Sequence, residues 1–575
     1  MTTIRAIEIE NFRGVKALKW QPREGVNCLI GSGDSGKSTV LDAIDYCIGA
    51  RRSLQMTDSD FCGLDIEKPV RICVTLGTLP DELKNIDTYG LYLCGFDAAS
   101  GQILSEPEAG HETVLIVQLL VENDLEPQWS LVSSRAAAQG QSRSLNWADR
   151  VRLSPTRLGA INDKNLSWRR GSILNRLSDE RADISKELAK AARDVRAAFV
   201  GAGGSAQLAQ ALAAVTKAAK DLGIPIGAEA KALLDAASVS FAGGAISLHD
   251  EWGVPLRGLG LGSTRLLIAG IQRQAATQAS IILIDELEHG LEPHRILMLL
   301  AALGAKDKSP PLQVFMTTHS PVAVRELSAD QLFVLRQHGD NHHALAVGLQ
   351  SDVQGTIRKY PDALLAKTVF VCEGASEVGL IRGLDRLRAA NGHPPIAACG
   401  CALVDGGGNE LFSRALAFQS LGYRVAAMRD SDVHPTPELE AKFVDAGGQT
   451  FRWRDGRALE DELFLSVGSQ TVAKLLDLAV AAKEESLVND HIKSASQNTK
   501  DLAAIRAECT AEISPESRAI LGKAARYKGT KGWFKSVSIM EEAAHDLVGP
   551  DLAHADPALG QFMEGIFQWI SNGTR

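Results

Sequence analysis

Short apolar stretches ending at glycines or acids recur along the chain and mark its elements before any motif is considered. Ile7-Glu8-Ile9-Glu10 alternates with period two, as a half-buried strand does. Val26-Asn27-Cys28-Leu29-Ile30 is a nearly continuous apolar run, which predicts a buried strand, and from Thr39 to Ile48 the period becomes helical. Strand-like runs follow at Val70 to Leu76, Leu91 to Phe96 and Val114 to Val121. Ile184, Leu188, Ala192, Val195 and Phe199 then recur at helical spacing. Leu208, Leu212, Val215, Ala219 and Leu222 repeat the pattern beyond Gly201, Gly203 and Gly204. Together they predict an inserted αα-hairpin whose alanine-rich stripes suit close helix packing, as a dimerisation arm or an intrachain helical layer.

The second half returns to strands. Ile281 to Ile284 and Val314 to Thr317 are buried-strand runs, with an apolar helix predicted at Leu266 to Ile271. From Ala366 onward, strands at Thr368 to Cys372, Ala402 to Val404 and Tyr423 to Met428 alternate with helices at Val378 to Ala390 and up to about Ser420. That alternation predicts a second α/β unit with a parallel sheet. At 575 residues, two or three domains are expected.

Composition narrows the class. The 45% hydrophobic and 23% charged fractions are those of an ordinary globular protein. No apolar run is long enough for a bilayer, and Met1-Thr2-Thr3-Ile4-Arg5 lacks a signal-peptide core, so a cytoplasmic protein without a membrane partner is expected. The nine cysteines are scattered, and without a C-x-x-C pair they predict reduced thiols rather than zinc. A formal charge of −9 gives no general attraction to nucleic acid, so DNA binding would need local basic patches or metal ions.

The candidate chemistry falls at strand ends. Gly31, Ser32, Gly33, Asp34, Ser35, Gly36, Lys37, Ser38 and Thr39 fit G-x-x-x-x-G-K-[ST] between a predicted strand and a predicted helix. The glycines let backbone N–H groups approach phosphate oxygens, Lys37 reaches the outer phosphates and Ser38 offers a hydroxyl to Mg²⁺. ATP and one Mg²⁺ are the cofactors expected there. Ile281 to Ile284 ends at Asp285 and Glu286, the Walker B pattern, assigning Asp285 to the Mg²⁺ shell and Glu286 to the attacking water. The glycine-rich turn Trp252 to Arg265 sits where a signature loop would, without the usual serine before its glycine, and Leu287 to Arg295 sits where a subunit-contacting loop would. His319, ending the Val314 strand, is read as a γ-phosphate sensor.

In the second α/β unit, Glu373, Asp405, Asp430 and Asp432 all end strands, and Glu377 lies one helical turn past Glu373. So many carboxylates on one sheet edge repel unless cations join them, and oxygen ligation fits Mg²⁺ or Mn²⁺. Ala458 to Phe464 adds Glu460 and Glu462, and Arg526 to Lys535 is basic with interleaved aromatics, a composition suited to a phosphate backbone.

A strand, the Asn11-Phe12-Arg13-Gly14 turn, a second strand and the P-loop resemble the start of SMC-, RecF- and Rad50-type ATPase heads. The resemblance implies a glutamine after the P-loop helix that touches the metal and γ-phosphate; Gln55 is the nearest candidate, or an ordinary solvated loop residue. Glu373-Gly374-Ala375-Ser376-Glu377 followed by Asp430-Ser431-Asp432 resembles a Toprim domain. The whole layout resembles OLD-family (overcoming lysogenization defect) nucleases, class 2, a layout shared with a subunit of Gabija anti-phage systems. The fold class implied is α/β: an ABC/SMC-type P-loop ATPase head with an inserted helical arm, then a Toprim α/β domain with a parallel sheet. The corresponding units are residues 1–170 and 246–362 for the two ATPase lobes, 171–245 for the arm and 363–575 for the Toprim domain with a helical extension.

The resemblance implies that Glu373, Glu377, Asp430, Asp432, Glu460 and Glu462 hold two Mg²⁺ or Mn²⁺ ions, with Ca²⁺ a further cation such acids hold. Glu373, Asp430 and Asp432 would be catalytic, together with a lysine assigned to Lys531, with Lys528 and Lys535 as rivals. It also implies a homodimer or larger homo-oligomer, duplex DNA as substrate and a UvrD-like helicase partner. A ribonuclease acting on tRNA and a non-nucleolytic DNA-repair ATPase are the alternatives. A primase- or topoisomerase-like activity is disfavoured by the lack of an active-site tyrosine context and of strand-passage domains.

Overall fold

The computed structural model describes residues 2–158, 248–249, 251, 255–274, 280–348, 355–356, 358–434, 436–527 and 532–574, with single positions 190, 194 and 213. Apart from those three positions, the helical arm expected at 171–245 lies outside the described residues.

A 13-stranded sheet organises the first part of the chain. Its antiparallel side runs Ile103–Leu104, Leu93–Phe96, Glu112–Val121, Val70–Gly77, Thr3–Phe12 and Val15–Trp20, with Pro127–Val132 also on Glu112–Val121. The hairpin Leu332–His338 and Asn341–Ala346 joins it to a parallel side made of Val26–Ile30, Gln313–Thr317, Ile281–Ile284 and Thr156–Leu158. The central strands of this parallel side are enclosed on both faces, which accounts for their apolar runs. Val26–Ile30 lies between Gln313–Thr317 and Leu332–His338. The loop after it therefore opens at the carboxyl ends of parallel strands. The helix Lys37–Ile48 buries Val40, Leu41, Ile44 and Ile48, the stripe its period predicts.

A second sheet has four parallel strands in the order Cys401–Asp405, Thr368–Cys372, Arg424–Arg429 and Gln449–Arg452. The last is absent from the sequence reading; only the pair Thr450-Phe451 signals it, too short a run to show a period. Alternate residues face two different cores. Val369, Val371, Val425 and Ala427 join a cluster that also contains Val26, Ile282, Val314 and Leu332 of the first sheet. Phe370, Cys372, Ala426 and Met428 face the C-terminal helices, which contribute Leu463, Leu521 and Ile566. The two sheets thus share one continuous apolar core. Arg336 reinforces the junction: its guanidinium donates to Ala366 O at 3.1 Å and lies 3.9 Å from the Tyr423 ring centroid.

The helix expected from Leu266 begins earlier, spanning Leu261–Gln274. Gly262 explains the difference: a Cβ there would come within 2.9 Å of Gly290 O, so glycine lets the first turn lie against the chain after the Walker B strand. All nine cysteines are free, and Cys399 and Cys401 are buried, as small core residues rather than ligands. Among the described residues no helix is long and apolar enough to cross a membrane.

Candidate functional site

The P-loop leaves Val26–Ile30 through backbone that favours glycine. Gly31 has φ 136° and Gly36 φ 87°, and a Cβ on Gly31 would stand 3.0 Å from Leu335 O. Lys37 is 5% exposed, and its ammonium folds over the loop, donating to Ser32 O at 2.7 Å and Gly31 O at 3.2 Å. Burial lowers its pKa against the pull of Asp285 and Asp34. Ser38 Oγ donates to Asp285 Oδ1 at 2.9 Å, and Thr317 Oγ1 donates to the same oxygen at 2.6 Å. Asp285 therefore ties the P-loop helix to the two strands beside it. Ser32, Gly33, Asp34 and Ser35 lie in the loop before this helix, and Thr39 lies in its first turn.

Glu286 is exposed, with φ 48°, and faces His289 Nδ1 at 3.4 Å. Glu288 accepts from Thr318 Oγ1 at 2.6 Å and from His319 N at 2.7 Å, so it shapes the turn that leaves the His319 ring exposed. Arg265 completes the site and was missed by the sequence reading. Only 1% exposed, it donates to Glu286 O and His289 O at 3.0 Å each and to Leu287 O at 3.3 Å. Its signal is positional, since a charge shares one helix face with Ile268 and Ala269, both fully buried. Arg13 of the N-F-R-G turn donates to Asp60 at 2.8 Å and Tyr46 Oη at 2.9 Å and also pairs with Asp42, anchoring the first turn to the P-loop helix. Gln55 is exposed.

The second site lies at the carboxyl edge of the four-stranded sheet. Glu373 Oε2 accepts from Asp430 N at 2.7 Å, Asp430 Oδ1 from Leu459 N at 2.9 Å and Glu377 Oε2 from Gly374 N at 2.9 Å. These bonds place Glu373, Glu377 and Asp430 beside the helix Leu459–Ser466, whose Glu460 is 1% exposed. Among the described residues no donor stands in hydrogen-bond geometry to either Glu460 carboxylate oxygen, and Lys535 Nζ lies 3.3 Å away. Burial, then the charge of Glu460, pushes Glu377 up to about 7; burial, then Glu377 and Glu373, pushes Asp430 up to about 9. Burial opposes the Lys535 charge, yet Glu460, Glu377 and Asp430 raise its pKa. Arg429, 5% exposed, donates to Asp430 O at 2.7 Å and pairs with Glu440 at 3.0 Å, a support the sequence does not announce.

Other expected residues fall elsewhere. Lys531 and Lys528 lie outside the described residues. Glu462 is not brought into the cluster: Arg457 donates to it at 3.0 Å, Ser466 at 2.9 Å, and Arg454 pairs with it. Asp405 accepts from Gly407 N at 2.8 Å and faces Lys359 at 3.6 Å. Asp432 is held by Arg526 at 2.6 Å. Nor do Trp533 and Phe534, two of the aromatics of Arg526 to Lys535, form a stacking surface, whereas Tyr527 is exposed and stacks on His491. Trp533 and Phe534 are fully buried core residues, and Trp533 Nε1 donates to His491 Nδ1 at 3.2 Å.

Among the described residues no three or more His, Cys, Asp or Glu side chains already stand in a metal-binding group. Backbone amides and Lys535 hold the carboxylates instead. The donor chemistry still fits a hard divalent cation: the atoms are all anionic oxygen, and both Glu460 oxygens are enclosed with no donor in hydrogen-bond geometry among the described residues.

Comparison with known proteins bears on the first site. The RecF DNA replication and repair protein of Chlorobium luteolum is 40% identical over 57 residues, 10% of this chain and 15% of that protein. RecF of Prosthecochloris aestuarii is 40% identical over 52 residues, 9% of this chain and 14% of that one. The chain thus spans less than a fifth of the length of these curated relatives. An SMC head bound to the C-winged helix domain of ScpA aligns over 61% of this chain and 99% of its own, at 15% identity and TM-score 0.34. RecF of the RecFOR pathway aligns over 60% of this chain and 98% of its own, at 12% identity and TM-score 0.32. A family model described as AAA domain, putative AbiEii toxin, Type IV TA system matches residues 26–325, more than half of the sequence. That span holds Lys37, Asp285 and His319, and the chain belongs to this AAA-domain family, so its first part is an ATPase domain.

Proposed function

We propose that the chain is an ATP-binding, divalent-metal-dependent DNA endonuclease of OLD type, in which the ATPase domain governs a Toprim-like carboxylate site. The observation that carries this reading is Glu460. Its carboxylate is enclosed, with Lys535 at 3.3 Å and no donor in hydrogen-bond geometry among the described residues, and it interacts with Glu377 and Asp430 at the carboxyl edge of a parallel sheet. A purely structural cluster would not keep so many desolvated acids together. Phage defence or DNA repair is the setting. The family description names a putative toxin of a toxin–antitoxin system, and the matched relatives are named for DNA replication and repair.

Each residue has a role in this scheme. Lys37 and the loop amides hold the ATP phosphates, while Ser38 and Asp285, already in contact, are placed for Mg²⁺. Glu286, exposed and 3.4 Å from His289, would orient water, and the exposed His319 would sense the γ-phosphate. In the second site, Glu373, Glu377, Asp430 and Glu460 would hold the cation, which when bound supplies charge to a phosphodiester and acidity to a water. Lys535, one of the rivals of Lys531 for the late lysine, takes that part in this scheme because it stands 3.3 Å from Glu460, its ammonium neutralising charge that builds on the phosphoryl oxygens. The backbone amides of Gly374 and Leu459 orient the acids. A homo-oligomer and a helicase partner belong to the same proposal.

A plasmid cleavage assay with Mg²⁺ or Mn²⁺, with and without ATP, tests the reading. Wild type should nick or cut, Asp430→Ala should not, and Lys37→Ala should lose ATP binding yet keep some cleavage. Intact plasmid beside fragmented total RNA would redirect the site to RNA. The absence of a ready three-ligand group favours a second reading, a DNA-repair ATPase without cleavage. It predicts that Glu373→Ala changes no activity.

A further inference from the structure

The acids at the second site divide into two groups with different partners. Among the described residues, Glu373, Glu377 and Asp430 accept from backbone amides, and Lys535 stands beside Glu460. Asp432 and Asp461 instead share one guanidinium: Arg526 Nη1 lies 2.6 Å from Asp432 Oδ2 and 3.3 Å from Asp461 Oδ2.

Arg526 is held there by the fold. It follows the helix Pro515–Ala525, which crosses Leu459–Ser466 at Gly522, where a Cβ would lie 2.8 Å from Asp461 Cα. This close approach sets the end of the helix over Asp461, and a cation suits a helix C-terminus. The next residue is fixed as well, since the Tyr527 ring stacks on His491 with centroids 4.1 Å apart and planes 5° from parallel. The planar guanidinium fork carries several donors, so one side chain serves both carboxylates.

Resting on the metal-dependent reading above, we infer that Arg526 occupies the place of a second divalent ion. The site takes one ion, at Glu373, Glu377, Asp430 and Glu460, and Arg526 supplies the other positive charge. The enclosed Glu460 carboxylate, faced by Lys535 at 3.3 Å but by no donor in hydrogen-bond geometry among the described residues, points to the ion's side of the site, and the guanidinium shared by Asp432 and Asp461 marks the other side. A second ion at Asp432 and Asp461 would meet a fixed like charge at hydrogen-bond distance from both of its ligands. Asp432 is therefore a positioning residue for Arg526, although it sits in the D-x-D sequence. Arg526 itself presents a fork suited to a phosphate oxygen beside the ion.

Mn²⁺ binding to the nucleotide-free full-length chain, followed by calorimetry and by electron paramagnetic resonance, tests this without an activity readout. Wild type should bind one ion per chain at this site. Asp430→Asn should weaken it by more than the roughly 10–100-fold lost with an outer-shell partner. Asp432→Asn and Arg526→Lys should keep one ion, the first because Asp432 is no ligand, the second because the charge remains. Arg526→Ala should gain a second ion at the freed acids. Two ions in wild type, with one lost in Asp432→Asn, would overturn the inference and leave the metal site standing. No ion bound by wild type would sink the metal-dependent reading itself. Should Arg526→Ala fail to fold, the counts for Asp432→Asn and Arg526→Lys still decide.

Discussion

Lys535 Nζ stands 3.3 Å from the Glu460 carboxylate, and those two residues, 75 positions apart, close the second site. Glu460 is 1% exposed, and among the described residues Lys535 is the cation paired with it.

Removing that ammonium leaves a buried acid alone. Lys535→Ala should destabilise the cation-free protein by about 1–3 kcal/mol, below the ~3–5 kcal/mol of a wholly buried pair because water reaches the rim. The double variant Lys535→Ala/Glu460→Gln should recover most of the loss. Urea denaturation measures both, and additive losses would argue against coupling.

The raised acids make stability fall with pH. A carboxyl whose folded pKa lies above its unfolded value stabilises fully below the unfolded value, near 4. That contribution is lost as pH rises toward the folded values, about 7 for Glu377 and about 9 for Asp430. Without divalent ions the melting temperature should therefore drop from pH 5 to pH 8. Mn²⁺ should raise it more at pH 8 than at pH 5, and EDTA should reverse the gain. A cation effect equal at both pH values would contradict this account.

Arg265 satisfies carbonyls of the turn that carries Glu286. Arg265→Met keeps the bulk and removes the donors, so ATP hydrolysis should fall at least about tenfold, ~1.4 kcal/mol of barrier. Nucleotide affinity should change little, because Lys37 and the loop are untouched. A loss confined to KM would mean that the turn does not depend on this arginine.

Gly522 tests the helix crossing. Alanine there gains up to ~1 kcal/mol of helix propensity but would place a Cβ 2.5 Å from Asp461 Oδ1. Overpacking costs typically ~1–3 kcal/mol, so Gly522→Ala should be net destabilising. A thermal melt unchanged or raised would show that the two helices separate freely.

Much of this protein was legible in its residues because the signals are local. The Gly31–Thr39 loop, Asp285 and Glu286, and the strand ends at Glu373 and Asp430 each follow an apolar run that fixes a strand, and a strand fixes where its last residue points. The short strand Gln449–Arg452 escaped because four residues carry too little period. The core aromatics Trp533 and Phe534 misled for a related reason, since a basic, aromatic stretch reads alike on a surface and at the foot of a helix.

The sequence by itself determined the order of the elements and the acids that end them. The tertiary structure decided which charges meet: Lys535 with Glu460, Arg526 with Asp432 and Asp461, Arg454 and Arg457 with Glu462, Arg265 with the Walker B turn. Helix packing sets those pairings across tens of residues. Periodicity reports only which face of an element is apolar, never which distant side chain will lie against it.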